Sequence, residues 1–447
     1  MNDDELSNYD EDNTLFIGSS FSSRTDVGSR WERHKPFRAD LTMSPDLISS
    51  ILDRLGCLDL ASTPLKLSAL GSILANLASH PHGAQVFYSR DRNHYSKRSR
   101  YLPPHVTYTY TLDAVSGLAG RGIIEHTIAR PSSRGGMSSS FASSNTLFQT
   151  LSDLKAALKL RAKRQDTIIL RDAKKVPIGY ADNYFTCSAR RDLEEINEDL
   201  GRIKLTISHP EVENIDENHI LLRGALLNIG HLHLYRVFTE DFDQNGRFYG
   251  GVWQWLPKSI RQHGLLINGE PVVELDYRAC HLRILCELVQ FRLPFRDPNF
   301  DPFDVPGFDR KLVKVAFNIL LNARNRAGSK LALAKHLKEI GDARGIRWDV
   351  HLPSALLHAV RTQFWYVKPF WNTRFGLRLL NLDAALCSEN MRALRKLGIP
   401  CLSVHDSFIV PARHEVQLKS IMDDSFDLVM NRVASKSYRF GNTAIEF

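Results

Sequence analysis

The sequence predicts an α+β protein, and three stretches carry that prediction. The first is residues 272–283. An apolar, β-branched run, Val272, Val273 and Leu275, follows the turn-like Asn268-Gly269-Glu270-Pro271. Beyond Asp276 the apolar period becomes helical, through Leu282, Leu285, Cys286 and Val289. A short buried strand therefore hands over to a helix, with the Asp276 carboxylate at the strand tip. The second stretch is residues 399–411, where two apolar arms flank His405-Asp406-Ser407 and predict a β-hairpin with an acid at its turn. The third is a pair of amphipathic stripes, Leu47-Ile48-Ile51-Leu52-Leu55 and Leu65-Leu67-Leu70-Ile73-Leu74-Leu77, which predict two helices.

Composition bounds the rest. The 447 residues are enough for two or three domains with buried cores. Hydrophobic content of 43% and charged content of 24% are ordinary for a globular chain. The apolar runs fall short of the roughly 18 to 20 residues of a membrane span, so no membrane partner is expected. The acidic start, Met1-Asn2-Asp3-Asp4-Glu5, matches neither a secretory signal nor a transit peptide. Six scattered cysteines form no Cys-x-x-Cys pair, which predicts reduced thiols in a cytoplasmic protein. The net charge of +8 leans toward a polyanionic partner.

In chain order, residues 1–42 are polar and predict a disordered arm. Residues 43–150 begin with the two amphipathic helices. A third helix is predicted at about 106 to 119, then a strand at Gly122–Ile128, a Ser/Gly/Arg tip, and a second arm at Thr146-Leu147-Phe148. This order resembles a winged-helix DNA-binding domain. The resemblance implies that Tyr108 and Tyr110 on the third helix enter the major groove while Arg130 and Arg134 in the tip touch the backbone or minor groove. A protein-interaction module or a structural cap is the alternative. Residues 151–165 predict a basic helical linker, whose alternative is a solvated helix face. Strands at Ile168-Ile169-Leu170, Ile203–Ile207 and Ile220-Leu221-Leu222 and a helix through Leu193, Ile196 and Leu200 open the remaining region, 166–447.

That region holds the chemistry. Arginine, glycine and aromatic residues interleave between Leu234 and Arg261, a mixture that suits a nucleic-acid track or a turn before buried tryptophans. Arg310, Lys314 and Phe317 recur at i, i+4 and i+7 on one predicted helix face, where the two cations suit a triphosphate or form a basic surface stripe.

Taken in order, Gly246-Arg247, Asp276-Tyr277 with Leu282-Arg283, Arg310-x-x-x-Lys314 and His405-Asp406 resemble the motifs of the family-A DNA polymerase and phage single-subunit RNA polymerase group. The resemblance covers roughly residues 230 to 420. It implies a compact right-hand polymerase domain over 166–447, with an antiparallel palm sheet, helical fingers and a reduced thumb. Asp276 and Asp406, with the Tyr277 carbonyl, would ligate two Mg2+ ions. Lys314 and Arg310 would bind the nucleotide phosphates, with Tyr277, His281, Phe317 and Asn322 beside the nucleotide. Arg247, Arg261, Arg283 and His405 would hold the primer-template. The implied protein is a DNA-directed DNA polymerase of a phage or plasmid-type mobile element, acting as a monomer on a DNA primer-template with nucleoside triphosphates. An RNA polymerase or primase of the same fold, with RNA among its partners, and a non-catalytic initiator that binds origin DNA remain alternatives. Departures from the pattern bear on substrate choice. Asn322 and Ala323 replace the aromatic and glycine that end the fingers motif, and His281 stands where DNA-making members carry Glu and RNA-making members Gly.

Overall fold

Capping residues start the first helices where the sequence places them. Ser44, Thr63 and Thr107 each accept the amide three residues on, and Pro45 and Pro64 take the first helical position. So begin α1 (Pro45–Arg54), α2 (Pro64–Ala78) and, after the short α3 (Arg92–Ser96), α4 (Tyr108–Gly120). The computed structural model describes residues 34–39, 41–80, 82–96, 99–129, 139–154, 161–162, 166–223, 225–230, 232–295, 297, 299–344 and 349–435. The chain divides into two compact units, Met1–Arg236 with Tyr249–Val272, and Val237–Phe248 with Val273–Phe447. The fold is α+β, and the described strand pairings are antiparallel apart from one.

In the first unit, β1 (His34–Pro36), β3 (Gln85–Tyr88), β5 (Ser139–Ser143) and β4 (Ile124–Thr127) form a sheet in the order β1-β3-β5-β4, with β1 parallel to β3. The helices close over it. Ile51, Leu52, Ile73, Leu74, Val115 and Leu118 share one core with Val86, Phe141 and Leu147, each worth about 1.5–3 kcal/mol of burial. Three expectations change here. Residues 34–36 are strand, and β2 (Leu41–Thr42) pairs with β6 (Arg161–Ala162), so order starts before residue 43 and residues 161–162 are strand rather than basic helix. Thr146-Leu147-Phe148 is not the second hairpin arm. Ser144 caps a helix there, α5 (Asn145–Asp153), and β5 supplies the arm from residues that look too polar for a strand. Residues 151–153 of the expected linker belong to α5, while 155–160 and 163–165, and Arg130 and Arg134 of the expected tip, lie outside the described residues.

The first unit continues with β7 (Ile168–Arg171), α6 (Tyr184–Leu200), β8 (Leu205–Ile207), β9 (Val212–Asn214), β10 (His219–Leu222) and β11 (Ala225–Asn228). Asp166, its side chain 5% exposed, accepts from Arg100 at 2.8 Å, Arg190 at 3.2 Å and the Tyr180 hydroxyl at 3.0 Å, a satisfied buried charge. After β12 (Tyr235–Thr239) and β13 (Asp241–Tyr249), α7 (Lys258–His263) leads to β14 (Leu265–Ile267), which pairs with β8 and with the first residues of β15 (Glu270–Asp276). All six cysteines are free. No helix among the described residues is long and apolar enough to cross a membrane.

The second unit is mostly helical. It holds α8 (Cys280–Leu288), α9 (Arg310–Asn322), α10 (Arg326–Arg344), α11 (Leu352–Gln363), α12 (Gly376–Lys396), the hairpin β16 (Leu402–Val404) and β17 (Ser407–Pro411), and α13 (Glu415–Ser435). β17 lies beside β15, and α12 packs on α8, α9 and α13. Asp309 caps α9 by accepting the Lys311 and Leu312 amides. α12 starts hard against the end of α9. A Cβ on Gly376 would stand 2.1 Å from the Asn322 side-chain amide oxygen, so a larger residue there would displace that side chain. β15 and the helix after it fall where the sequence predicts. The strand is not buried, however, since every residue from Glu270 to Asp276 is half-buried or exposed.

Candidate active site

Two tight turns carry the two aspartates. β15 ends on Asp276, and Ala279, with φ of +50°, turns the chain into α8. In the hairpin, Val404 pairs with Ser407 and leaves a two-residue turn, His405-Asp406, where His405 takes φ of +57°. Neither left-handed residue is glycine, so each turn carries backbone strain of about 1 kcal/mol. A single backbone bond brings the turns together. The Tyr277 N–H donates to the Asp406 carbonyl at 3.2 Å. Below it the Tyr277 ring is 4% exposed, and its hydroxyl donates to the Met422 carbonyl at 2.7 Å and accepts from Asn390 at 2.9 Å. Tyr277 thus anchors the Asp276 turn to α12 and α13.

Charged groups gather around this bond. The Lys314 ammonium feels both carboxylates: burial and then Arg310 lower its pKa, while Asp301, Asp276 and Asp406 pull the other way. Burial and then the neighbouring Asp383 carboxylate raise the pKa of Asp406, partly offset by Arg247, His281 and His405. Burial and then the Arg247 charge push His281 down to about 4, so its ring is neutral at pH 7.

Asp383 is a functional candidate to which the sequence motifs assign no role. It lies on α12, 1% exposed, with one oxygen 2.6 Å from Arg247 and 4.0 Å from the His281 ring. A signal for it exists in the sequence. It falls on the face marked by Leu379, Leu386 and Cys387, and a carboxylate on an apolar helix face requires a cationic partner. The partner is Arg247, which Gly246 helps to place. Gly246 has φ of +98°, and a Cβ there would meet the Phe238 ring at 2.6 Å. Asn381 on α12 also donates to the Phe242 and Asn245 carbonyls, at 3.1 and 2.9 Å, which holds β13 along the helix.

The other predicted residues divide by environment. Arg310 is ion-paired with Asp301. Burial alone would raise the Asp301 pKa, but the Arg310 hydrogen bond, the Phe303 amide and the Arg310 and Lys314 charges bring it below the usual range. Phe317 is a core residue rather than a nucleotide contact, 1% exposed among Phe303, Phe364 and Trp371. Asn322 is exposed and bonds back to the Asn318 carbonyl at 3.0 Å. Arg283 stacks 3.8 Å over the Phe426 ring and lies 3.8 Å from Asp423, so it ties α8 to α13. In the first unit Arg261 is 4% exposed and donates to the Leu256 carbonyl at 2.6 Å. Tyr110 packs on the core of that unit, and Tyr108 contacts Tyr95 and Arg92. The exposed positions of α4 are Thr109, Asp113, Ser116 and Gly120, one acid and no base.

The donor set suits a hard divalent cation. Asp276 is exposed, Asp406 is short of positive charge, and the Tyr277 carbonyl accepts only the Cys280 N–H at 3.1 Å among backbone donors, leaving a lone pair. Among the described residues no group of three or more His, Cys, Asp or Glu side chains is placed to hold a metal ion. A cation at Asp276 and Asp406 would therefore complete its shell with backbone, water and substrate oxygens, as Mg2+ does. No protein-family model matches the chain, and no curated protein sequence matches it significantly.

Proposed function

We propose that the chain is a template-dependent nucleotidyltransferase, a DNA-directed DNA polymerase of a phage or plasmid-type element. The observation that carries this reading is the Tyr277-to-Asp406 backbone bond, which joins two acidic turns beside one half-buried lysine. Asp276 and Asp406 would hold the Mg2+ ions, which when bound favour ionisation of a primer 3′-hydroxyl and offset charge on the pyrophosphate. Lys314 faces the same space, and its lowered pKa eases donation of a proton to the departing pyrophosphate oxygen. Arg310 supplies a second cation to the phosphates by exchanging Asp301 for them. His281, neutral and bulky at the start of α8, supports deoxynucleotides by its size. Arg247 ties its own strand, β13, to α12 through Asp383, and release from that pair would free it for a primer-template.

Primer extension on a short DNA template with Mg2+, with dNTPs and NTPs supplied separately, tests the proposal. Asp276→Ala and Asp406→Ala are each expected to lower incorporation by about a thousandfold. Extension with NTPs in preference to dNTPs would move the reading to an RNA polymerase or primase. No extension with either set, with or without primer, would sink it and leave the origin-binding initiator.

A further inference from the structure

Away from the carboxylates, the second unit holds two arginines whose charges act on each other near a helix start. Arg326 opens α10 and is exposed, while Arg361 lies near the end of α11 and is half-buried. Ser329, 0% exposed, ties Arg361 to the helix start: its hydroxyl donates to the Arg326 backbone carbonyl at 2.9 Å and lies 3.5 Å from an Arg361 guanidinium nitrogen. Neither arginine has a carboxylate partner among the described residues. Burial and then the Arg326 charge lower the Arg361 pKa, the mark of a cation with uncompensated positive charge beside it. By contrast, the half-buried Arg100 and Arg190 are paired with Asp166 and Asp182. Two neighbouring guanidinium groups with no acid between them carry donors and charge of the kind that phosphate oxygens accept.

Four residues beyond Arg361 stands Trp365, 64% exposed. Its ring packs edge-on to Phe291 at 5.7 Å, and Phe291 stacks on Tyr366 at 4.0 Å and 10°, so the indole has a rigid support and an open side. Exposed aromatics near unpaired arginines suit single strands, whose bases are free to stack while the backbone takes the cations. A duplex has no base face to offer.

We propose that Arg326 and Arg361, the latter held by Ser329 at the start of α10, bind backbone phosphate of a single-stranded polynucleotide, with Trp365 as a stacking surface for one of its bases. The ligand class is a phosphodiester, and within the polymerase reading on which this assignment rests it is the template strand. α10 and α11 both pack on α9, the helix that carries Arg310 and Lys314, so this site and the proposed phosphate site share one scaffold.

The test is fluorescence anisotropy of the full chain with a fluorescein-labelled oligodeoxythymidylate, on the order of 20 nucleotides long. Arg326→Ala and Arg361→Gln are each expected to weaken binding by about threefold to tenfold and to reduce the slope of log affinity against log salt by about 0.7. Trp365→Ala is expected to weaken binding with the salt slope unchanged. Arg326 is exposed, so its variant keeps the proposal testable if Arg361→Gln fails to fold. Unchanged affinity and slope in Arg326→Ala would overturn the assignment. So would competition by pyrophosphate at matched ionic strength as effective as that by unlabelled oligonucleotide, which would make this a site for free phosphate. Primer extension is read separately. A chain that binds through these arginines yet extends no primer loses the polymerase reading and keeps this site, and the reverse result removes only the site.

Discussion

A carboxylate that is buried, and then held beside another carboxylate, resists ionisation, and Asp406 is in that position next to Asp383. Because its folded pKa lies above its unfolded one, its contribution to stability is greatest when it is protonated and is lost as pH rises through the folded value. Asp406→Asn, a neutral isostere, is therefore expected to raise the melting temperature at pH 7 by a few degrees while abolishing extension. Differential scanning calorimetry checks it, and added Mg2+ should narrow the gap by stabilising only the wild type. His281 runs the opposite way. Its pKa falls from 6.5 to about 4 on folding, so the stability it contributes is present above pH 6.5 and is lost as pH falls toward 4. His281→Asn should flatten the acid side of the stability curve between pH 6.5 and 4, measured as the urea midpoint against wild type. Overlapping curves would place the imidazole in contact with water.

Among the elements, α12 joins the most parts of the site. It carries Asp383 to Arg247, Asn381 to the carbonyls of β13 and Asn390 to the Tyr277 hydroxyl. Asp383→Ala would leave the Arg247 guanidinium, 15% exposed, without its counter-charge, at an expected cost of about 3 kcal/mol. Chemical denaturation checks this, and a loss within experimental error would mean that Arg247 reaches solvent by itself. The helices were the most legible elements. Ser44-Pro45, Thr63-Pro64 and Asp309 announce their starts, and the Arg310-to-Phe317 period marks α9 as amphipathic. The same period could not separate Phe317 from Lys314. They lie three residues apart on one side of the helix, and neighbouring aromatics decide that Phe317 is core and Lys314 reaches the acids. Strands were harder to read. Ser139–Ser143 pairs on both sides despite three serines, because a ladder rests on backbone groups, which every residue carries.

For the whole molecule, a charge of +8 favours polynucleotide partners in general, and its distribution decides which surface meets them. The first unit has the helices and the antiparallel β4–β5 pair of the expected DNA-binding module, but α4 exposes Asp113 and no base. If α4 lies against DNA in the full chain, Asp113→Asn should tighten duplex binding by about threefold at low salt, an advantage that shrinks as salt rises. Equal affinities in anisotropy titrations would mean that another face of this unit meets the duplex.

By itself the sequence determined helices α1, α2 and α4, the Asp276 strand tip, the His405-Asp406 turn and the cations of α9. Each of these depends on residues within a few positions of one another, through hydrogen-bonding caps, turn chemistry and periodicity. Tertiary structure alone decided that the Tyr277 amide meets the Asp406 carbonyl, that Asp383 joins the cluster by taking Arg247, and that Arg326 and Arg361 come near each other with no acid between them. Those pairings span from tens of residues to more than a hundred. Burial and charge act through space, and no local pattern in the chain encodes which distant residue arrives.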